Sequence, residues 1–235
     1  FRFQTGSVYI GQWQGGQRHG FGRMKWSDGA SYAGQWRLNR AAGLGRFTHA
    51  DGDVHIGEWS NSMALGKGVY YHEGLMSYMG QWRNDLQDGV GIEVDVDDAR
   101  YQGYFVEGLK HGHGTYRWKD GSEYTGCWAN NIIQGYGMYT SGDGRCFRGQ
   151  WQESVIHGMG RYAFAGGQEY SGQYVQDQKH GFGIFKWGDG KMYQGYWQDG
   201  KQWGHGRHTT RDGMIRLAYW ADGQVVSRDD HTPRR

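Results

Sequence analysis

At 235 residues the chain is long enough for one or two ordinary domains. A net charge of +2, with Lys and Arg scattered, leaves no electrostatic footprint for nucleic acid, and no apolar run reaches the length of a membrane-spanning helix. Aromatics at 16% exclude a disordered chain, and 27 of the 44 glycines fall in three fixed columns, which excludes low complexity.

In chain order, Phe1, Phe3 and Gly6 fall in register with Met24, Trp26 and Gly29, so the sequence opens midway through a repeat and reads as a fragment of a longer array. No signal-peptide pattern precedes that repeat. The first full unit starts at Tyr9 with Tyr9-Gly11-Trp13. The spacing returns every 23 residues without insertion, at 32, 55, 78, 101, 124, 147, 170 and 193, and fades at Arg216-Ala218-Trp220. Seven residues after each Trp column comes Gly-x-Gly, from Gly20/Gly22 to Gly204/Gly206. A strict period marks an array of one supersecondary unit. One array over 1–226 and a flexible polar tail over 227–235 are expected, with binding or scaffolding ahead of catalysis.

Within the unit, Tyr9, Gly11 and Trp13 alternate with Ile10, Gln12 and Gln14, the period of a strand with two faces. A turn column follows (Gly16, Asn39, Ser62, Asp85, Gly108, Asn131, Ser154, Asp177, Gly200, Gly223), made of residues that tolerate positive φ. A second strand carries Gly20, Gly22, Met24 and Trp26 on one face and Phe21, Arg23 and Lys25 on the other. Asp28-Gly29 then turns the chain into the next unit. Each repeat is therefore a β-hairpin, with all three glycines expected on the aromatic face, where a Trp ring lies flat over bare backbone. The expected fold is all-β: an elongated, single-layer antiparallel ribbon of about ten hairpins, roughly 90–100 Å long at about 4.8 Å per strand. A closed barrel or propeller is the alternative, and 23 residues is short for a propeller blade. Cys127 and Cys146 fall too far apart in this register for a disulfide, so free thiols and a cytoplasmic setting are expected.

These residues resemble the MORN family (membrane occupation and recognition nexus), whose unit is close to Tyr-x-Gly-x-Trp-x-x-Gly-x-x-x-His-Gly-x-Gly. The best copies run from Tyr9 to Gly29, Tyr101 to Gly121 and Tyr193 to Gly213. The resemblance implies the open ribbon and raises phospholipid binding, dimerisation and partner-protein docking as roles. A chain made only of repeats looks most like the family's cytoskeletal scaffold members.

Departures from the pattern supply the remaining candidates. The run Glu93-Val94-Asp95-Val96-Asp97-Asp98 puts acids where other copies carry aromatics and a turn glycine. It reads as a cation or basic-partner site at Asp95, Asp97 and Asp98, or as a degenerate repeat that bends or softens the ribbon. The second reading is favoured, because adjacent strand acids point to alternate faces. His19, His111, His157 and His180 share one column before Gly-x-Gly and read as structural. His205 and His208, near Trp203, lack the further ligands zinc needs. No phosphate loop follows the glycines, so no enzyme, metal or cofactor is expected.

Three functions stand. The first is a non-enzymatic scaffold, cytoplasmic, at the cytoskeleton or on the cytoplasmic face of a membrane. It presents an aromatic face at Trp26, Tyr116, Trp118, Tyr162, Phe185 and Trp187 to partner proteins. It also forms a homodimer through the C-terminal repeats, along an edge at Ile215, Leu217, Tyr219 and Trp220; a cap made by the tail is the alternative there. The second is a peripheral module for acidic phospholipids such as phosphoinositides, using Arg18, Arg23, Lys25, Arg37 and Arg40. The third is the regulatory repeat region of a larger enzyme.

Overall fold

The computed structural model describes residues 1–73 and 75–228, with twenty β-strands and no helix among them. Two compact units divide the chain, Phe1–Lys119 and the residues from Asp120 onward. The first contains β1 (Val8–Gln14), β2 (Gln17–Lys25), β3 (Ser31–Arg37), β4 (Arg40–Thr48), β5 (Val54–Ser60), β6 (Met63–His72), β7 (Leu75–Arg83), β8 (Leu86–Val94), β9 (Arg100–Val106) and β10 (Leu109–Arg117). The second contains β11 (Glu123–Ala129), β12 (Ile132–Thr140), β13 (Cys146–Gln152), β14 (Val155–Ala163), β15 (Glu169–Val175), β16 (Gln178–Lys186), β17 (Met192–Gln198), β18 (Lys201–Thr209), β19 (Ile215–Ala221) and β20 (Gln224–Arg228). Within each unit every strand pairs antiparallel with the next in sequence. Each unit is thus an open, single-layer meander of hairpins. Cys127 and Cys146 are both free thiols.

The hairpin inside each repeat closes on two residues of positive φ, such as Leu38 (49°) with Asn39 (66°) and Asn61 (51°) with Ser62 (67°). This is the type I′ geometry whose twist matches the flanking strands. The turn column also links repeats. Asn39 Oδ1 accepts from Arg18 N–H at 2.8 Å, Ser62 Oγ from Ala41 N–H at 3.1 Å, and Asp85 Oδ1 from Ala64 N–H at 2.6 Å. Ser154 and Asp177 do the same in the second unit.

The core is a ladder of rings, and here the expected arrangement is corrected. In the repeats that carry it, the Tyr ring lies on the paired glycines where the Trp ring was expected. A β-carbon on Gly22 would sit 2.5 Å from Tyr9 Cζ, and Tyr9 Oη donates to Gln12 O at 3.0 Å. The Trp rings stand on edge between successive tyrosines. Trp36 meets Tyr9 at 5.4 Å and 85° and Tyr32 at 5.1 Å and 88°, and its indole N–H donates to Gly22 O at 3.1 Å. Edge-to-face contact is the geometry aromatic quadrupoles favour. The ladder buries Tyr9, Tyr32, Tyr78, Tyr124, Tyr170 and Tyr193 almost completely with no second layer. Backbone bare of side chains lets a ring approach closely, which is the physical use of glycine in a strand.

The first glycine of each Gly-x-Gly is also not on the aromatic face. Gly20 sits at a bulge with φ +65°, and a β-carbon there would run into the Gln12 side chain. Gln12 Oε1 accepts from Phe21 N–H at 2.8 Å, closing the bulge from the opposite face. Gln35, Gln81, Gln150 and Gln173 repeat the bond, and Glu58 supplies its carboxylate.

In repeat four the acidic run forms a hydrogen-bonded turn. Asp98 adopts the positive φ (64°) that glycine takes elsewhere, and Asp95 Oδ1 accepts from Asp97 N–H and Ala99 N–H, both at 2.9 Å. At the C-terminus, the expectation that 215–221 is the terminal edge is corrected. β20 pairs along β19, with Trp220 opposite Val225 and Ala218 opposite Arg228. Ser227 and Arg228, assigned to the tail by sequence, are therefore strand residues; the rest of the tail, 229–235, lies outside the described residues.

Candidate functional site

The aromatic face of the first unit holds a groove of about 740 Å³. Three residue rows of the repeat build it. Trp36, Trp59 and Trp82 of the ladder form its floor, and Trp26, Phe47, His49 and Tyr70, from the ends of the second strands, form one wall. The opposite wall is made by the turn residues Asn39, Ser62 and Asp85 and by Ala41 and Ala64. Phe47 packs on Trp26 at 5.6 Å and on His49 at 4.6 Å, so the first wall is itself a continuous stack.

At one end, Arg18 lays its guanidinium 4.4 Å above the Trp36 ring and donates to Asn39 O at 2.8 Å. Burial lowers its pKa. At the other end, His55 replaces the ladder tyrosine. Its ring meets Trp82 at 4.4 Å, and His55 Nε2 and Trp82 Nε1 are buried without hydrogen-bond partners among the described residues. Burial pushes His55 down to about 4, so it is neutral at physiological pH. Behind the wall, Tyr70 Oη donates to Asp53 Oδ2 at 2.6 Å and His72 Nδ1 lies 2.9 Å from the same oxygen. Those two bonds, His72 first, pull Asp53 down to about 2. The bond to Asp53 raises His72, and burial, then Asp53, pushes Tyr70 to about 12. Asp53 is therefore a carboxylate that holds the Tyr70 wall in place.

The same positions are filled in the second unit. After the turns stand Ile133, Ile156 and Lys179 in place of Ala41 and Ala64. Ile156 packs against the cluster that includes Tyr174, and Lys179 Nζ lies 4.4 Å from the Trp197 ring centroid and 4.8 Å from that of Phe185. Burial lowers the Lys179 pKa.

Of the six aromatics predicted to bind a partner, Trp26 lines the groove. Tyr116 and Trp118 pair with each other at 4.8 Å, and Tyr116 donates to Asp95 Oδ2. Phe185 is buried in the second unit, and Tyr162 and Trp187 pack on the same cluster together with Phe164. Tyr219 is half-buried and Trp220 buried in the ladder against Tyr193, whereas Ile215 and Leu217 are exposed. The five basic residues do not form one patch: Arg18 sits on the aromatic face, while Arg23, Lys25, Arg37 and Arg40 are exposed on the other. Sequence reasoning passed over Ala41, Ala64, Phe47 and Tyr70. The signal for the alanines was present, since one column reads Arg18, Ala41, Ala64, Gln87, Lys110, Ile133, Ile156, Lys179 and Gln202. Among the described residues no group of three or more His, Cys, Asp or Glu is placed to hold a metal ion, and no helix is long and apolar enough to cross a membrane. Aromatic rings, the turn residues and the Asp85 carboxylate line this groove.

No curated protein matches the chain. Among solved structures, the G-box domain of the microcephaly protein CPAP is similar at 13% identity and a TM-score of 0.47, over 86% of this chain and 100% of that one. The SAS-4 (dCPAP) TCP domain of Drosophila Melanogaster, in complex with a proline-rich motif, matches at 7% identity and TM-score 0.38, over 77% of this chain and 87% of that one. The wild-type TCP10 domain of Danio rerio CPAP matches at 12% identity and TM-score 0.28, over 97% and 98%. The MORN-repeat family model matches nine times in one register, at 9–31, 32–54, 55–75, 78–100, 101–123, 124–144, 147–169, 170–192 and 193–215. With nearly the whole chain covered by consecutive copies of its unit, this protein belongs to the MORN-repeat family.

Proposed function

We infer that this chain is a non-enzymatic scaffold that docks a segment of a partner protein along the aromatic groove of its first unit. One observation carries the reading: Ala41 and Ala64 leave open, above Trp59 and Trp82, a space that isoleucine and lysine occupy in the second unit. An array of identical hairpins needs no such opening for its own stability. Selection of peptides from a displayed random library on the full chain tests it. Selected peptides should lose binding to an Ala41→Ile/Ala64→Ile double variant, which copies the residues of the second unit. Binding unchanged by that variant would place docking elsewhere and sink the reading. Self-association through the C-terminal repeats is part of the same scaffold. Its edge would be β20 beside exposed Ile215 and Leu217, and molar mass in solution checks it, a monomer at all concentrations being the contrary result.

A second reading has its own support. On the face opposite the ladder, Ile10 (73% exposed) and Phe21 (63% exposed) accompany Arg23 and Lys25, the mixture an acidic phospholipid surface attracts. Binding to phosphatidylserine vesicles that fades at moderate salt and is lost in a Phe21→Ser variant would support it, and vesicles ignored at low salt would end it. Both readings put the protein in the cytoplasm, at the cytoskeleton or at a cytoplasmic membrane face.

A further inference from the structure

The repeat shows on its own residues what the Trp faces accept. Arg18 and Lys179 occupy the same position of the unit, two residues before a glycine paired across the strands with Trp36 or Trp197. Each therefore approaches the indole of the next strand diagonally, and each brings its cation to 4.4 Å from the ring centroid. Lys110, in the same column, lies 5.5 Å from the Tyr101 ring and 5.9 Å from that of Tyr116. A desolvated cation over an indole face is the strongest form of this contact. Gly43 and Gly66 pair with Trp59 and Trp82 in the same way, but the residues two before them are Ala41 and Ala64. The groove lies at those two sites. Arg18 completes its bonds on the carbonyl of the turn residue Asn39; the equivalent turn residues here are Ser62 and Asp85, and Asp85 adds a carboxylate to the groove lining.

We propose that the Trp59 and Trp82 faces beside Ala41 and Ala64 are subsites for two basic side chains, Lys or Arg, of one docked protein segment. The segment supplies from outside the cations that the chain supplies itself at Arg18 and Lys179. The inference rests on the groove-docking reading and gives it a ligand chemistry. Trp59 and Trp82 stand two strands apart, about 10 Å at the usual strand spacing. A polyproline-II segment brings residues three apart onto one side at about 9 Å, and a helix brings residues seven apart at about 10.5 Å. The occupant therefore carries a basic pair at one of those two spacings.

The random-peptide selection on the full chain, followed by fluorescence anisotropy with a selected peptide, tests the inference. The expected peptides carry Lys or Arg at three- or seven-residue spacing. Changing either basic residue to citrulline or norleucine weakens binding roughly three- to thirtyfold, the range of a single cation–π contact between exposed and desolvated surroundings. An Ala41→Lys/Ala64→Lys variant, whose fold is checked by its far-ultraviolet spectrum and melting temperature, places the chain's own cations in the subsites and abolishes binding. Peptides that lose binding to the Ala41→Ile/Ala64→Ile variant but show no basic pair, or tolerate norleucine, overturn this inference and leave groove docking standing. Peptides indifferent to both double variants overturn the two together.

Discussion

In the second unit Ile156 and Lys179 follow the hairpin turns and cover the ring of the next repeat; in the first, Ala41 and Ala64 stand at the same point and the rings border a groove. The ladder below is built alike at Tyr32 and Tyr170. Tyr32 and Tyr170 are both buried, both donate to a carbonyl three residues on, and both lie over paired glycines. Architecture and the proposed recognition thus occupy separate columns of one 23-residue unit. A column that contributes to the ladder is held nearly constant, while the column after the turn is open to change because the ladder closes without it.

The largest test of that separation removes a ladder ring in each unit. Tyr32→Ala and Tyr170→Ala should each cost about 3–5 kcal/mol, the range for a large buried aromatic, measured by urea unfolding. A marked difference between them would mean that the two ladders are not equivalent. Next comes the covering column. Ile156→Ala should cost about 2 kcal/mol and give the second unit an opening like that of the first, whereas Ala41→Ile should cost little; a destabilising Ala41→Ile would show that the groove cannot close on itself.

A smaller effect is expected at His55, where the first unit breaks its own ladder. Burial lowers the His55 pKa from the ordinary histidine value to about 4, so its contribution is fully present above about pH 6.5 and is lost as pH falls from there toward 4. His72 works in the opposite sense. Its raised pKa gives a contribution fully present below about pH 6.5 that is lost as pH climbs through the raised value. His55→Tyr restores the ring whose hydroxyl donates to the carbonyl three residues on, as in Tyr32 and Tyr78. The variant should melt higher than the parent by an amount that grows between pH 6.5 and 4. A gap independent of pH would remove titration of His55 from the account. The smallest effect is expected at the bulges. Gln12→Ala and Gln150→Ala each remove an exposed acceptor for a backbone N–H and should cost about 0.5–1 kcal/mol in either unit.

Much of this could be read from the sequence. The repeat register, the hairpins, the positive-φ turn column and the need for bare glycine under aromatic rings all follow from local rules, since alternation, turn chemistry and glycine placement act over a few residues. The assignment of rings was not legible. Tyr9 and Trp13 are both large aromatics on one face, and only the paired strands show that the tyrosine lies over the glycines while the tryptophan meets it edge-on at 86°. Nor was the groove. Trp26 was identified by its size, but Phe47 and Tyr70 join it through pairing between neighbouring repeats, and Ala41 and Ala64 matter for the space they leave.

The 23-residue period by itself determined that this protein is a MORN array of β-hairpins, because each unit carries its own turn signals and its own bare backbone. The tertiary structure decided where the first unit has an open groove. An opening is the difference between what two neighbouring repeats place over the same ring, and that difference exists only once the strands are paired.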